Sequence, residues 1–229
     1  MGAGYRMTAR GKAEAEVLIY EDVGGWFGGV TAKDFYADLR ALGGIETLNI
    51  RINSFGGEVF EGLAIYRHLA EHGAKKIVHV DGIAASIASV IAMAGDEIRV
   101  AEAGRVMIHD ASGMAWGTAE QVREVAERLE SITGSITDIY VARTSVSRDK
   151  LRGWMQAETW FTAAEAVEAG LATAVAENVR VAASAFDPMK HRHIRKPPAG
   201  LAPPPPRPER DSFAARLASQ RARLTASAR

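Results

Sequence analysis

The chain has 229 residues, 47% of them apolar and 24% charged, and its 28 Lys/Arg balance 28 Asp/Glu. Such a composition suits a soluble globular protein with enough mass to bury a core, and zero net charge supplies no overall field toward nucleic acid or an anionic membrane. The lack of cysteine excludes disulfides, thiolate nucleophiles and Cys-based zinc sites, and no stretch nears the roughly 20 apolar residues of a spanning helix.

Residues 1–14 read as a flexible arm without the apolar region of a secretory leader. A β-type run, Glu16 to Tyr20, leads into a turn rich in glycine (Gly24, Gly25, Gly28, Gly29). Thr31 with Asp34 approximates a capping box, and Phe35, Leu39 and Leu42 at helical spacing predict a helix over Ala32 to Leu42. The pattern then repeats. Leu48, Ile50 and Ile52 alternate in a strand from Glu46 to Asn53, Ser54-Phe55-Gly56-Gly57 turns the chain, and Val59, Leu63, Tyr66 and Leu69 form a helical stripe.

A third strand is predicted over Ile77 to Val80, a turn at Asp81-Gly82, and a helix of small residues from Ala84 to Met93 stopped by Gly95. Glu97 to Val100 and Arg105 to Ile108 read as two more strands. Thr118 with Gln121 opens a long helix to about Ala142, followed by shorter helices at Arg148 to Met155 and Ala163 to Ala169. Strands alternating with helices imply an α/β domain over residues 15–184, with parallel pairing and right-handed crossovers.

Residues 185–229 are different in kind. Pro197, Pro198, Pro203 to Pro206 and Pro208 predict an extended linker, and Ser212 to Ala228 is either a short basic helix or a solvated tail. From Phe186 onward there are ten Lys/Arg against three Asp/Glu, so the preceding body is acidic, with 18 against 25. An acidic body with a basic tail points to two units with separate roles.

Chemistry is expected at two strand–turn–helix corners. In the first, Asn53-Ser54-Phe55-Gly56-Gly57, glycines allow close backbone approach and a helix start adds positive partial charge, which suits an oxyanion or a peptide backbone; a plain tight turn is the alternative. In the second, Gly82-Ile83-Ala84-Ala85-Ser86-Ile87 sets a serine among small residues at a helix start. A nucleophilic serine needs an exposed Oγ, a base in reach and N–H donors for the oxyanion, and the Ile87 N–H is one such donor. An N-cap or a packing role is the alternative for Ser86. Of the six histidines, His109 stands apart. It ends the apolar strand Val106 to Ile108, and α/β sheets place their working groups at the carboxyl ends of strands.

The segments Ile52 to Gly57, Gly82 to Ser86, Val106 to Asp110 and Thr162 to Leu171 resemble, in order, the signature blocks of Clp protease proteolytic subunits. The similarity runs from about Val17 to Val175. With Glu158-Thr159-Trp160-Phe161 before the last block, it looks most like the phage branch, the head maturation (prohead) proteases. The resemblance implies a ClpP/crotonase-like fold of repeated β-β-α units, with Thr118 to Ala142 as a protruding handle through which rings assemble. It implies a serine endopeptidase with Ser86 as nucleophile, His109 as base and Glu158 in the position of the family's aspartate. Gly57 and Ile87 become oxyanion-hole donors, and Gly56 and Gly113 substrate-binding positions.

Neither metal nor organic cofactor is expected. The expected partners are protein or peptide substrates, further copies of the chain, and phage scaffold, portal or major capsid protein, met in the host cytoplasm or inside the procapsid. No nucleic acid or membrane partner is expected. Three departures from the family pattern stand out: Phe55 replaces a proline, Asp110-Ala111 follows the histidine, and glutamate stands at position 158. The rival readings are a degradative subunit served by an AAA+ unfoldase, a catalytically silent assembly protein, and an acyl-CoA hydratase or isomerase on the same fold.

Overall fold

Residues 5–11, 13–24 and 29–176 are described by this computed structural model. In chain order they form β1 (Tyr5–Arg10), β2 (Glu14–Ile19), α1 (Ala32–Ala41), β3 (Thr47–Ser54), α2 (Val59–Glu71), β4 (Lys75–Ala85), α3 (Ile87–Ala92), β5 (Glu97–Val100), β6 (Arg105–Ile108), α4 (Ala119–Arg143), α5 (Arg148–Gln156), β7 (Thr159–Thr162), α6 (Ala163–Glu168) and β8 (Ala174–Val175). These belong to one unit, Met1–Val179. The Pro-rich basic segment and its expected helix lie outside the described residues, as do Gly25 and Gly28.

The strands make one eight-stranded sheet in the order β1-β2-β3-β4-β5-β8, with β6 paired to β4 and β7 to β6. Pairing from β2 through β5 to β8 is parallel, as is β4 with β6, while β1 and β7 add antiparallel edges. Period-two alternation sets which face is buried: Ala15, Val17 and Ile19 of β2, Leu48, Ile50 and Ile52 of β3, and Val78 and Val80 of β4 all enter the core. Each buried Leu, Ile or Val there contributes about 1.5–3 kcal/mol of transfer free energy.

Two expectations are corrected. Residues 5–10, read as an arm, form β1 against β2 in the register Tyr5↔Ile19 to Arg10↔Glu14. The Tyr5 ring packs on Phe35 with centroids 5.5 Å apart, and its hydroxyl donates to Asp38 Oδ2 at 2.8 Å. Only Tyr5 and Met7 carry the alternation, too short a signal to reveal an edge strand with a polar outer row.

The second correction matters more for function. Gly82 does not end the third strand: β4 continues to Ala85, and the helix after it begins only at Ile87. The strand changes partner along its length. Residues 77–80 pair with β5, whereas Ile83, Ala84 and Ala85 pair with Arg105, Val106 and Met107 of β6. The β3–β4 register also shifts between Ile52 and Ser54. Gly82 sits at this irregularity with Asn53 Oδ1 in the space a Cβ would take, so a larger residue there would require the Asn53 side chain to move.

Helix α4 opens on a complete capping box between Thr118 and Gln121. Its buried residues, Thr133, Ile136, Thr137 and Tyr140, all lie in the C-terminal half, while Val122 near the other end is 40% exposed. The helix is rooted at one end and projects at the other. Among the described residues no helix is long and apolar enough to cross a membrane.

Candidate active site

The extension of β4 beside β6 carries Ser86 and His109 to neighbouring strand ends. Ala85 is in register with Met107, so each chain leaves the sheet within two residues of that pair. The Ser86 N–H donates to the Met107 carbonyl at 3.0 Å. Oγ of Ser86 lies 2.7 Å from Nε2 of His109, a separation suited to proton transfer, and both residues are partly buried.

Ser86 has φ 54° and ψ −130°, a backbone conformation that L residues rarely adopt. Such strain costs on the order of 1–3 kcal/mol and persists only where the surroundings over-determine it. Here it turns the chain sharply from strand to helix and leaves Oγ at the corner, a geometry that strand–turn–helix nucleophiles use. The Ser86 carbonyl is held by the Ser89 N–H at 3.0 Å and by Ser89 Oγ at 2.6 Å.

The first corner packs directly on the second. An added Cβ at Gly56 would lie 2.8 Å from Ser86 Cβ and 3.2 Å from the Ile87 nitrogen. Gly56 and Gly57 have φ 102° and 145°, values that favour glycine. Val23 clamps the corner through its backbone, donating to the Gly56 carbonyl and accepting from the Glu58 N–H, both at 2.8 Å. Ser54 Oγ accepts from the Gly56 N–H at 3.1 Å and donates to the Glu21 carbonyl at 2.8 Å. Phe55, in the place of the family's proline, is 69% exposed, and the hydrogen bonds hold the turn without it.

Among the described residues no acceptor takes the N–H of Gly57 or of Ile87. Ile87 is seated by Gly62 of α2, where a Cβ would overlap Ile87 Cγ1. These amides, Ser86 and His109 line a cleft of about 630 Å³. Val90, Leu129, Ile132 and Ile136 give it apolar lining, and Asp22 and Glu58 also line it. Among the described residues no group of three or more potential ligands is placed to hold a metal ion.

Glu158 makes no hydrogen bond to His109 among the described residues. Its carboxylate accepts from Trp160 Nε1 at 3.4 Å, and its side chain is exposed. The ladder pair Ile108↔Thr159 puts Glu158 one step from the histidine, but its backbone turns there with φ 48°. Gly113 is exposed in a segment, residues 109–116, that forms no strand with any described residue.

Other side chains fix the segment after His109. Arg152 bridges Asp110 at 3.2 Å and Glu130 at 2.7 Å, the Ala111 N–H donates to Thr133 Oγ1 at 3.0 Å, and the Asp110 N–H to the Met155 carbonyl at 3.3 Å. Sequence reasoning named none of Val23, Gly62, Tyr140 or Arg152 as part of the site, and gave Ser54 and Ser89, which lie in the two corners, no role of their own. Most act on partners far along the chain, and Val23 acts through its backbone alone. Only the Ser54-to-Gly56 spacing, a serine two residues before a turn amide, carried a local signal.

Comparison with known protein families matches residues 13–179 to Clp protease. Similar proteins include the ATP-dependent Clp protease proteolytic subunit of Bacteroides fragilis, 32% identical over 146 residues, spanning 62% of this chain and 70% of that one. The subunit of the same name from Deinococcus radiodurans is 30% identical over 137 residues, spanning 59% and 67%. Among solved structures, a mutant of ClpP1 from Listeria monocytogenes aligns with a TM-score of 0.63 at 23% identity, over 72% of this chain and 92% of that one. That last similarity speaks to the fold, a mixed α/β architecture.

Proposed function

The chain belongs to the Clp protease family of serine-type peptidases, and from that premise we propose that it is an ATP-independent endopeptidase of the head-maturation kind. Ser86 serves as nucleophile, His109 as general base, and the N–H groups of Gly57 and Ile87 as the oxyanion hole. The observation that carries this reading is the 2.7 Å approach of His109 Nε2 to Ser86 Oγ, beside two amides that find no acceptor among the described residues.

In the proposed reaction His109 takes the Ser86 hydroxyl proton as Oγ bonds to the peptide carbonyl carbon. The carbonyl oxygen becomes an oxyanion and receives hydrogen bonds from Gly57 and Ile87. The imidazolium then protonates the leaving amine as the C–N bond breaks. Water, deprotonated by His109, attacks the acyl-enzyme and restores Ser86. The test is covalent. A fluorophosphonate probe is expected to label the native chain at Ser86 and to leave Ser86→Ala unlabelled; equal labelling of both discards the nucleophile.

The position of Glu158 yields a second test. Where a buried carboxylate orients the histidine, its conversion to the amide lowers kcat by about 10⁴. Because the Glu158 carboxylate is exposed and bonded to Trp160, Glu158→Gln is expected to lower kcat/KM less than about tenfold, consistent with a Ser–His pair as the working unit. A loss near a thousandfold in peptide hydrolysis assays would instead return Glu158 to the triad.

Substrates in this reading are phage scaffold, portal or major capsid proteins, and the ten Lys/Arg after Ala185 favour acidic partners there. Ring assembly is proposed through α4, whose outer half projects, and near which Met114 and Trp116 are almost fully exposed. The second reading, a degradative subunit working with an AAA+ unfoldase, is favoured by the ATP-dependent subunits among the similar proteins. Cleavage of an unfolded chain without nucleotide supports the first reading; degradation of folded substrates only with unfoldase and ATP supports the second.

A further inference from the structure

We infer that Ser89 and Tyr140 are positioning residues that hold Ser86 in its reactive backbone conformation, an inference resting on Ser86 being the nucleophile. The supporting network is buried and polar in otherwise apolar surroundings. Ser89 Oγ lies 2.6 Å from the Ser86 carbonyl oxygen and 2.8 Å from the Tyr140 hydroxyl, which comes from α4, 51 residues away in sequence. Ser89 is 0% exposed and Tyr140 1%.

The proton order follows from counting donors. Ser89 has one hydroxyl proton, and the Ser86 carbonyl can only accept, so that proton goes to Ser86. Tyr140 must therefore donate to Ser89. Burial pushes the Tyr140 phenol well above the usual tyrosine range and outweighs the lowering effect of its contact with Ser89, so the phenol stays protonated and remains a donor. The chain Tyr140 to Ser89 to Ser86 is directional and uses the one proton of the serine between them.

Its target is the strained residue. Ser86 at φ 54° needs restraint on both sides of its α-carbon. The Ser86 N–H is anchored on Met107 of β6, and the carbonyl on Ser89, which is itself fixed by a helix rooted elsewhere in the core. Without the Ser89 hydroxyl the carbonyl keeps only the Ser89 N–H, and the peptide plane that carries the Ile87 N–H is freer to rotate. That plane joins Ser86 to Ile87, so one restraint serves both the attacking oxygen and a proposed oxyanion donor.

Ser89→Ala, Tyr140→Phe and the double variant separate positioning from stability. Ser89→Ala leaves a buried phenol without an acceptor and should lower Tm, whereas the double variant removes both polar ends and should regain much of that loss. Activity is expected not to follow. Fluorophosphonate labelling and kcat should fall about tenfold or more in Ser89→Ala and in the double variant alike, with KM within about twofold of the native chain. Labelling at the native rate in the double variant, or slowing only in proportion to unfolded protein, overturns the inference. If the native chain itself takes no probe, the functional reading fails. A crystal structure of the double variant then decides positioning: Ser86 remaining at φ near 54° overturns it, and relaxation out of that region supports it.

Discussion

Alanine at Ser86 or at His109 is expected to lower kcat by about 10⁶, and the double replacement to lower it no further. The reason is that in the proposed mechanism the two side chains act as one unit. There Ser86 Oγ, a weak nucleophile while it keeps its proton, attacks only as His109 Nε2, 2.7 Å away, withdraws that proton. Once either partner is gone the remaining one has no part in acyl transfer, so the second substitution removes nothing more. Residual hydrolysis above the uncatalysed rate should persist in all three variants, because the Gly57 and Ile87 amides and the cleft remain. Hydrolysis of a fluorogenic peptide by the three variants makes the measurement. Additive losses, with the double variant far below either single one, would sink the pairing.

Gly57→Ala should lower kcat about 10²–10³-fold with a small change in KM, the loss associated with one oxyanion donor. Its Cβ would overlap the Val23 carbonyl oxygen and lie 2.9 Å from the Val23 nitrogen, while φ 145° disfavours any side chain. Backbone must therefore shift at the corner whose N–H is proposed to meet the oxyanion. Val23 is also the clamp for Gly56 and Glu58, so Tm should fall as well. Gly73→Ala is the matched control: a Cβ there meets nothing within 4 Å, and both activity and Tm should stay unchanged. A Gly57→Ala chain that hydrolyses peptide at the native rate excludes this amide from the oxyanion hole.

The parts of this protein that were legible in the sequence are those set by near neighbours. The Thr118–Gln121 box opens α4 where the spacing predicted, because a cap involves only residues three apart. Leu48, Ile50 and Ile52 face the core because a strand alternates with period two. The four family-like blocks marked Ser86, His109 and the glycine corner as candidates before any distance was known. The errors arose where a distant partner overrode a local pattern. Small residues from Ala84 onward have helical propensity, yet Ala84 and Ala85 are strand because β6 offers them a ladder. Tyr5 to Arg10 is strand because β2 presents an open edge and Phe35 a surface for Tyr5.

Glu158 carries the same lesson into the chemistry. Its position along the chain matches an aspartate that would orient a histidine, but whether a carboxylate reaches an imidazole depends on the turn between α5 and β7 and on the competing indole of Trp160. Neither is written in a motif.

Taken alone, then, the residue order determined an alternation of strands and helices, an acidic body with a basic Pro-rich end, and which side chains have the chemistry to act. Tertiary structure alone decided that β4 leaves β5 for β6, that Ser86 and His109 meet, that Glu158 turns to Trp160, and that Tyr140 reaches Ser89. The physical division is one of range. Propensity, capping and alternation arise from contacts a few residues apart, whereas the change of partner by β4, the Ser86–His109 approach and the Tyr140–Ser89 contact depend on partners outside that range, made only when the fold assembles; Glu158 is set by the turn before β7 and by an indole two residues on.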